Sequence, residues 1–130
     1  MSSHKSTERL GRARIILVED SFPVAHGLQY LLQTVGCDVV GMAGNVETAL
    51  ALIATAQFDV ALLDIDLHGE HVAPVADALR QRGKPVIFLS GYDDPDALPP
   101  HLQALPRLAK PVDTDELLAV IEQALSTQRA

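Results

Sequence analysis

Glu19 and Asp20 follow one apolar run, Asp64 closes another, Ser90 closes a third, and Lys110 follows a short fourth. Lone acidic residues after apolar runs are ordinarily solvated turn residues, but this set is too regular for that reading. If the runs share one edge, three carboxylates, a hydroxyl and an ammonium meet there. Carboxylates crowded together repel one another and raise their own pKa values. A hard divalent cation removes the conflict, and Mg²⁺ held by carboxylates and water is the natural occupant. Lys110 supplies a second positive charge. Cation and ammonium together can neutralise a phosphoryl group, and a carboxylate shielded in this way is a competent nucleophile toward phosphorus.

The apolar pattern supplies elements able to bring these groups together. Residues 14–18 end in a continuous β-branched and aliphatic run, the signature of a strand buried on both faces. Ser21 is placed to cap the following helix, with Pro23 in its first turn. Val24, Leu28, Leu31, Leu32 and Val35 recur at helical spacing until Gly36 stops the pattern. A strand over 39–43 leads to a helix capped by Asn45, with Val46, Leu50 and Ile53 as its apolar face. Further strands are expected at 60–63, 86–89 and 107–109, and a helix at about 71–82 ended by Gly83. A final helix opens at Asp113 with Glu116 three residues on, a capping box, and carries Leu117, Leu118, Val120, Ile121 and Leu125.

Alternation of strand and helix predicts an α/β fold, a doubly wound five-stranded parallel sheet with helices on both faces. The carboxyl ends of such strands share one edge, where ligands bind. One unit is weak. Pro95, Pro99, Pro100 and Pro106 crowd the segment where a fourth helix would stand, and proline in a helix interior costs about 3 kcal/mol. A short helical turn or an irregular loop is expected instead. Residues 1–12 read as a disordered tail and 13–127 as one folded domain.

Composition narrows the function classes. The chain has 130 residues, 48% of them hydrophobic, with a formal charge of -7 and a single cysteine. One domain of ordinary size fits this length. Cys37 has no internal partner for a disulfide, which suits a reducing, cytoplasmic setting. No apolar run approaches the roughly 20 residues of a membrane span, and the polar first residues are unlike a signal peptide. The acidic balance argues against a nucleic-acid partner.

Val18-Glu19-Asp20, Leu62-Leu63-Asp64, Ser90-Gly91 and Lys110-Pro111, at their spacing, resemble the receiver domain of two-component response regulators. The resemblance covers about residues 13 to 126 and implies the (βα)5 flavodoxin-like receiver fold. It makes Asp64 the phosphoacceptor for a sensor histidine kinase or histidine phosphotransfer protein. It also implies Mg²⁺ held by Glu19, Asp20, Asp64 and the backbone carbonyl of Asp66. Ser90 would hydrogen-bond the new phosphoryl group, Lys110 would pair with it, and the Lys110-Pro111 bond would be cis. Such a chain is a signalling switch or relay intermediate rather than an enzyme, beyond labelling itself from small donors and dephosphorylating itself. It is expected to stand alone, as a monomer or weak homodimer, and to act through a downstream protein, using the face of the fourth and fifth strands and last helix.

The sequence departs from that family at three places. Arg107 stands where receivers carry an aromatic that changes rotamer on activation. Leu67-His68-Gly69-Glu70 replaces the usual Met-Pro and glycine after the acceptor. The proline-broken fourth helix goes with Phe88-Leu89-Ser90-Gly91-Tyr92, similar to the Phe-Ala-Thr-Gly…Tyr run of a subgroup of stand-alone receivers. Asp66 and Tyr92 are positioned to tune the phosphoryl lifetime. His68 and His71, though three apart, lack a third ligand and read as exposed loop residues. His4, His26, His101 and Cys37 carry no assigned role. Two other classes fit parts of the pattern. A haloacid-dehalogenase-like phosphatase would use Asp64-Ile65-Asp66, Ser90 and Lys110, but needs a later acidic strand. A phosphorylation-independent docking module needs none of the five groups.

Overall fold

The computed structural model describes residues 12–67, 69–91 and 98–129. The main sheet contains β1 (Arg14–Val18), β2 (Asp38–Ala43), β3 (Val60–Asp64), β6 (Val86–Ser90) and β7 (Arg107–Ala109). Between β3 and β6 lies a two-stranded antiparallel hairpin, β4 (Asp66–Leu67) and β5 (Glu70–His71). Among the described residues there are four α-helices: α1 (Phe22–Thr34), α2 (Val46–Thr55), α3 (Ala73–Gln81) and α4 (Thr114–Arg129). The main sheet is parallel throughout, in the order β2-β1-β3-β6-β7, the doubly wound flavodoxin-like arrangement.

The two-residue period of a strand divides the apolar runs between two cores. Ile15, Leu17, Val60, Leu62, Ile87 and Leu89 face Leu28 and Leu32 of α1 and Leu117, Ile121 and Leu125 of α4. Their neighbours Ile16, Val18, Ala61, Leu63, Val86 and Phe88 face Ile53 of α2 and Val75, Ala76 and Leu79 of α3. Burial of one such aliphatic side chain is worth about 1.5–3 kcal/mol, so a charge at Leu62 or Leu63 would break the sheet rather than tilt it.

Local signals mostly agree with the structure. Asn45 Oδ1 accepts the Thr48 N–H at 2.8 Å, and Asp113 Oδ2 accepts the Glu116 N–H at 3.0 Å. Ser21 is the N-cap of α1, but its side chain makes no capping bond; its own N–H donates to Glu19 Oε2 at 3.0 Å. On α2, Ala49 and Ile53 are buried and Leu50 is exposed, because the helix approaches the sheet one residue off the expected stripe. α3 begins at Ala73 rather than 71, since the preceding residues are used by the hairpin. A 3-10 helix stands at Pro100–Leu102 in the proline-rich stretch, and Leu98 and Leu102 are buried in the α2–α3 core; residues 92–97 of that stretch lie outside the described residues. Of the tail expected over 1–12, residues 1–11 lie outside the described residues, as does Tyr92. Gly41 sits where β2 meets α2: a Cβ there would stand 2.6 Å from Leu52 Cδ1.

Candidate functional site

Parallel pairing aligns the strand ends. Val18 is opposite Leu63, Asp64 opposite Leu89, and Ser90 opposite Ala109. Main-chain bonds continue that alignment past the strands: the Ile65 N–H donates to Leu89 O at 2.9 Å and the Lys110 N–H to Ser90 O at 2.8 Å. Glu19, Asp20, Asp64, Ser90 and Lys110 therefore meet at one edge, as their positions in sequence predict.

Lys110 organises the cluster. Its Nζ donates to Glu19 Oε1 at 2.6 Å and to Asp64 Oδ2 at 2.9 Å. The Glu19 and Asp64 side chains are nearly sealed from water, at 1% and 4% exposure, while Lys110 retains 22%. The remaining carboxylate oxygens are held from the main chain. Glu19 Oε2 accepts from the Ser21 N–H, and Asp64 Oδ1 accepts from the Asp66 N–H at 3.0 Å. Each carboxylate is thus fixed at both oxygens, which removes rotamer freedom from a prospective nucleophile. Lys110-Pro111 is cis.

Burial pushes the Asp64 carboxyl up to about 6, with Glu19 adding to the rise and the Lys110 and Asp66 hydrogen bonds opposing it. For Lys110, burial alone would lower the ammonium's pKa; the bonds and charges of Glu19 and Asp64 outweigh it and raise the value. Two of the carboxylates, Glu19 and Asp64, share the one ammonium, and Asp20 brings a third acidic group to the same partly buried place. Glu19, Asp20 and Asp64 each offer an oxygen, all within 4.8 Å of one another. A set of hard oxygen donors in which acidic groups outnumber cationic ones fits a divalent cation of the Mg²⁺ type.

The other chemistry-bearing residues lie elsewhere. His71 is exposed, as expected, but it lies on the strand β5 rather than in a loop; His68 lies outside the described residues. His26 lies against the Phe22 ring, the two tilted by 40° with centroids 4.6 Å apart. His101 Nε2 lies 2.8 Å from Asp77 Oδ1, joining the 3-10 turn to α3. Cys37 is buried, and burial pushes its thiol up to about 11. Arg107 is half-buried on β7. Two contacts escape the sequence reading: the Asp66 N–H donates to Asp64, and Glu70 reaches the start of α2. The one available signal was His68-Gly69 between short alternating segments, a hairpin-turn pattern; Gly69 has φ +83, which glycine adopts without cost. After Lys110 the described chain forms α4 and no further strand, so the later acidic strand needed by the phosphatase alternative is not found among the described residues.

Comparison with known proteins gives the same reading. The family model of the response regulator receiver domain matches residues 15–122. The chain is 26% identical over 119 residues to the sensory transduction protein LytT of Bacillus subtilis, covering 89% of this chain and 49% of that protein. It spans about half the length of the curated relatives it first matches. Among solved structures it is similar to the signal receiver domain of a modulated diguanylate cyclase from Desulfovibrio desulfuricans, with TM-score 0.79, 29% identity, and coverage of 90% of this chain and 96% of that one. SdrG from Sphingomonas melonis superposes with TM-score 0.74 at 32% identity, covering 91% and 97% of the two chains. No described helix is long and apolar enough to cross a membrane. The match runs from the first strand well into the last helix, across every strand end that builds the acidic edge, and the chain belongs to the response regulator receiver domain family.

Proposed function

We propose that Asp64 accepts a phosphoryl group from the phosphohistidine of a sensor histidine kinase or a histidine phosphotransfer protein. In the transfer a carboxylate oxygen of Asp64 bonds to phosphorus, the phosphorus–nitrogen bond breaks, and the imidazole leaves with its electron pair and takes up a proton. The observation that carries this reading is the Lys110 bridge, 2.6 Å to Glu19 and 2.9 Å to Asp64, at the rim of the carboxylate cluster. An ammonium already hydrogen-bonded to the acceptor is placed to pair with the charge the acceptor gains.

Glu19, Asp20, Asp64 and the backbone carbonyl of Asp66 would hold Mg²⁺, which when bound supplies neutralisation of the phosphoryl oxygens. Ser90, at the end of β6 beside Lys110, donates its hydroxyl to the new group. Drawing that hydroxyl inward reshapes the surface beside Ser90, so the output is an altered surface. With Arg107 in place of the usual aromatic, the shape change does not rely on an aromatic rotamer. A downstream protein reads it on the face of β6, β7 and α4. Residues 13–127 form the receiver unit, acting in the cytoplasm as a relay intermediate or switch, with no catalytic turnover of its own beyond labelling from small phosphodonors and self-dephosphorylation.

The test is labelling with acetyl phosphate and Mg²⁺, and then with a phosphorylated kinase. An acid-stable, alkali-labile phosphoprotein is expected from the wild type and none from Asp64→Asn. Equal labelling of Asp64→Asn would overturn the assignment. Partner binding indifferent both to Asp64→Ala and to Mg²⁺ removal would mark a docking module instead.

A further inference from the structure

The β4–β5 hairpin is not required by the parallel sheet, yet it is tied to the acceptor at one end and to a helix at the other. Asp66 opens β4 and its N–H donates to Asp64 Oδ1 at 3.0 Å. Leu67 is paired with Glu70 across the hairpin, and Glu70 Oε1 accepts the Val46 N–H at 3.0 Å, 24 residues away in sequence. Val46 is the first residue of α2, so its N–H is one of the donors that a helix leaves without an internal acceptor. A carboxylate is a favourable acceptor at that end of a helix.

We propose that Glu70 is a positioning residue for the acceptor: by holding the N-terminus of α2 it sets the hairpin so that the Asp66 N–H stays on Asp64 Oδ1. The inference rests on the reading of Asp64 as the phosphoacceptor. Two features separate this role from ordinary helix capping. The first turn of α2 already has a local cap, since Asn45 Oδ1 accepts from the Thr48 N–H. The Glu70 bond is non-local, so the part it orients is the hairpin. Leu67 and Val72, at 1% and 3% exposure, bury the hairpin's two shoulders in the α2–α3 core. Losing Glu70 therefore leaves the hairpin folded but free to shift along its exposed edge. The Asp66 main chain is the part of the hairpin nearest the acceptor. A shift there loosens one of the two hydrogen bonds that fix the Asp64 carboxylate.

Amide hydrogen exchange on the full, metal-free chain tests the geometry without any phosphoryl transfer. In Glu70→Ala the Asp66 amide is expected to exchange about threefold faster or more, the size of a charge removed from an exposed helix end. Glu70→Gln keeps an uncharged acceptor and is expected to fall between Glu70→Ala and the wild type. Asn45→Ala weakens the same helix end without touching the hairpin; it is expected to expose the Thr48 amide and leave Asp66 unchanged. Unaltered Asp66 exchange in Glu70→Ala, or equal acceleration by Asn45→Ala, would overturn the proposal. A second arm measures the rate of labelling by acetyl phosphate with Mg²⁺. Slower labelling in Glu70→Ala but not in Asn45→Ala is the expected result, and equal rates in Glu70→Ala and wild type would also overturn it. A wild type that shows the exchange protection but never labels would defeat the acceptor reading alone.

Discussion

The ammonium of Lys110 stands 2.6 Å from Glu19 Oε1, joining groups 91 residues apart in the chain. The same nitrogen holds Asp64 Oδ2 at 2.9 Å. One side chain thus neutralises part of a cluster that would otherwise resist burial, so its removal should be felt in stability as well as in chemistry.

Lys110→Met removes the charge and keeps most of the volume. Glu19 and Asp64 are then left buried beside each other without their shared donor, a change that costs about 1–3 kcal/mol for a partly exposed ion pair. Urea unfolding at neutral pH without divalent metal should show a lower midpoint with an unchanged m-value. The loss should shrink in mild acid, where the orphaned Asp64 carboxylate takes up a proton. A midpoint equal to wild type would mean that the bridge contributes nothing to stability.

The raised Asp64 value has a definite sign. Its carboxyl titrates at an ordinary 3.8 when unfolded and at about 6 when folded, so the native state binds more protons between those values. Stability contributed by the protonated form is therefore lost as pH rises from about 4 to 6. In metal-free buffer, Asp64→Asn should gain on the wild type across that window, by on the order of 1 kcal/mol after solvent screening. Thermal melts of the two proteins at a series of pH values measure the difference. A difference that stays flat with pH would show that Asp64 is not strained by its burial.

Saturating Mg²⁺ should raise the melting temperature of the wild type, since an ion that binds only the native state stabilises it by about 2.7 kcal/mol at a hundred times its dissociation constant. Asp20→Asn withdraws one of the three clustered carboxylates and should lose most of that gain. If Asp20→Asn were stabilised as fully as wild type, Asp20 would not be a ligand.

Cys37 should be inert in the folded protein. Its thiol is buried and raised from 9.0 to about 11, so a thiol-specific reagent at mildly alkaline pH should label it only after unfolding. The stability tied to its neutral form is complete below pH 9 and is lost as pH rises toward 11. Rapid stoichiometric labelling of native protein would contradict its place in the core.

Gly41→Ala tests how closely α2 packs on β2. The added methyl would meet Leu52 Cδ1 at 2.6 Å, and accommodating it should cost about 1–3 kcal/mol in urea unfolding. Leu52→Ala in the same chain makes room, so the double variant should lose less than the two single losses added. Strict additivity would place the two residues out of contact.

The strands, their order of appearance and the gathering of Glu19, Asp20, Asp64, Ser90 and Lys110 at one edge were legible from sequence because their causes are local or periodic. A strand buried on both faces must be apolar along its whole length, as in 15–18, 60–63 and 86–89, and the residues just beyond its end must be polar. Once the strands are parallel, Glu19, Asp64, Ser90 and Lys110 have one edge available to them. The proline-broken segment was legible for the same reason: proline acts on its own turn, and among the described residues there only a 3-10 helix formed. Leu50 was misplaced because helical period marks a stripe but not the angle at which a neighbour meets it.

The tertiary structure alone decided which oxygen meets which donor. Nothing within Lys110's own neighbourhood in sequence specifies that it bridges Glu19 to Asp64, and nothing near Glu70 specifies the start of α2. Those contacts join residues 91 and 24 apart. They depend on strand register and on how the helices settle on the sheet, which are set by packing of the whole core. The residue types of the acidic edge were written in the chain; the distances that bring them together come from the fold.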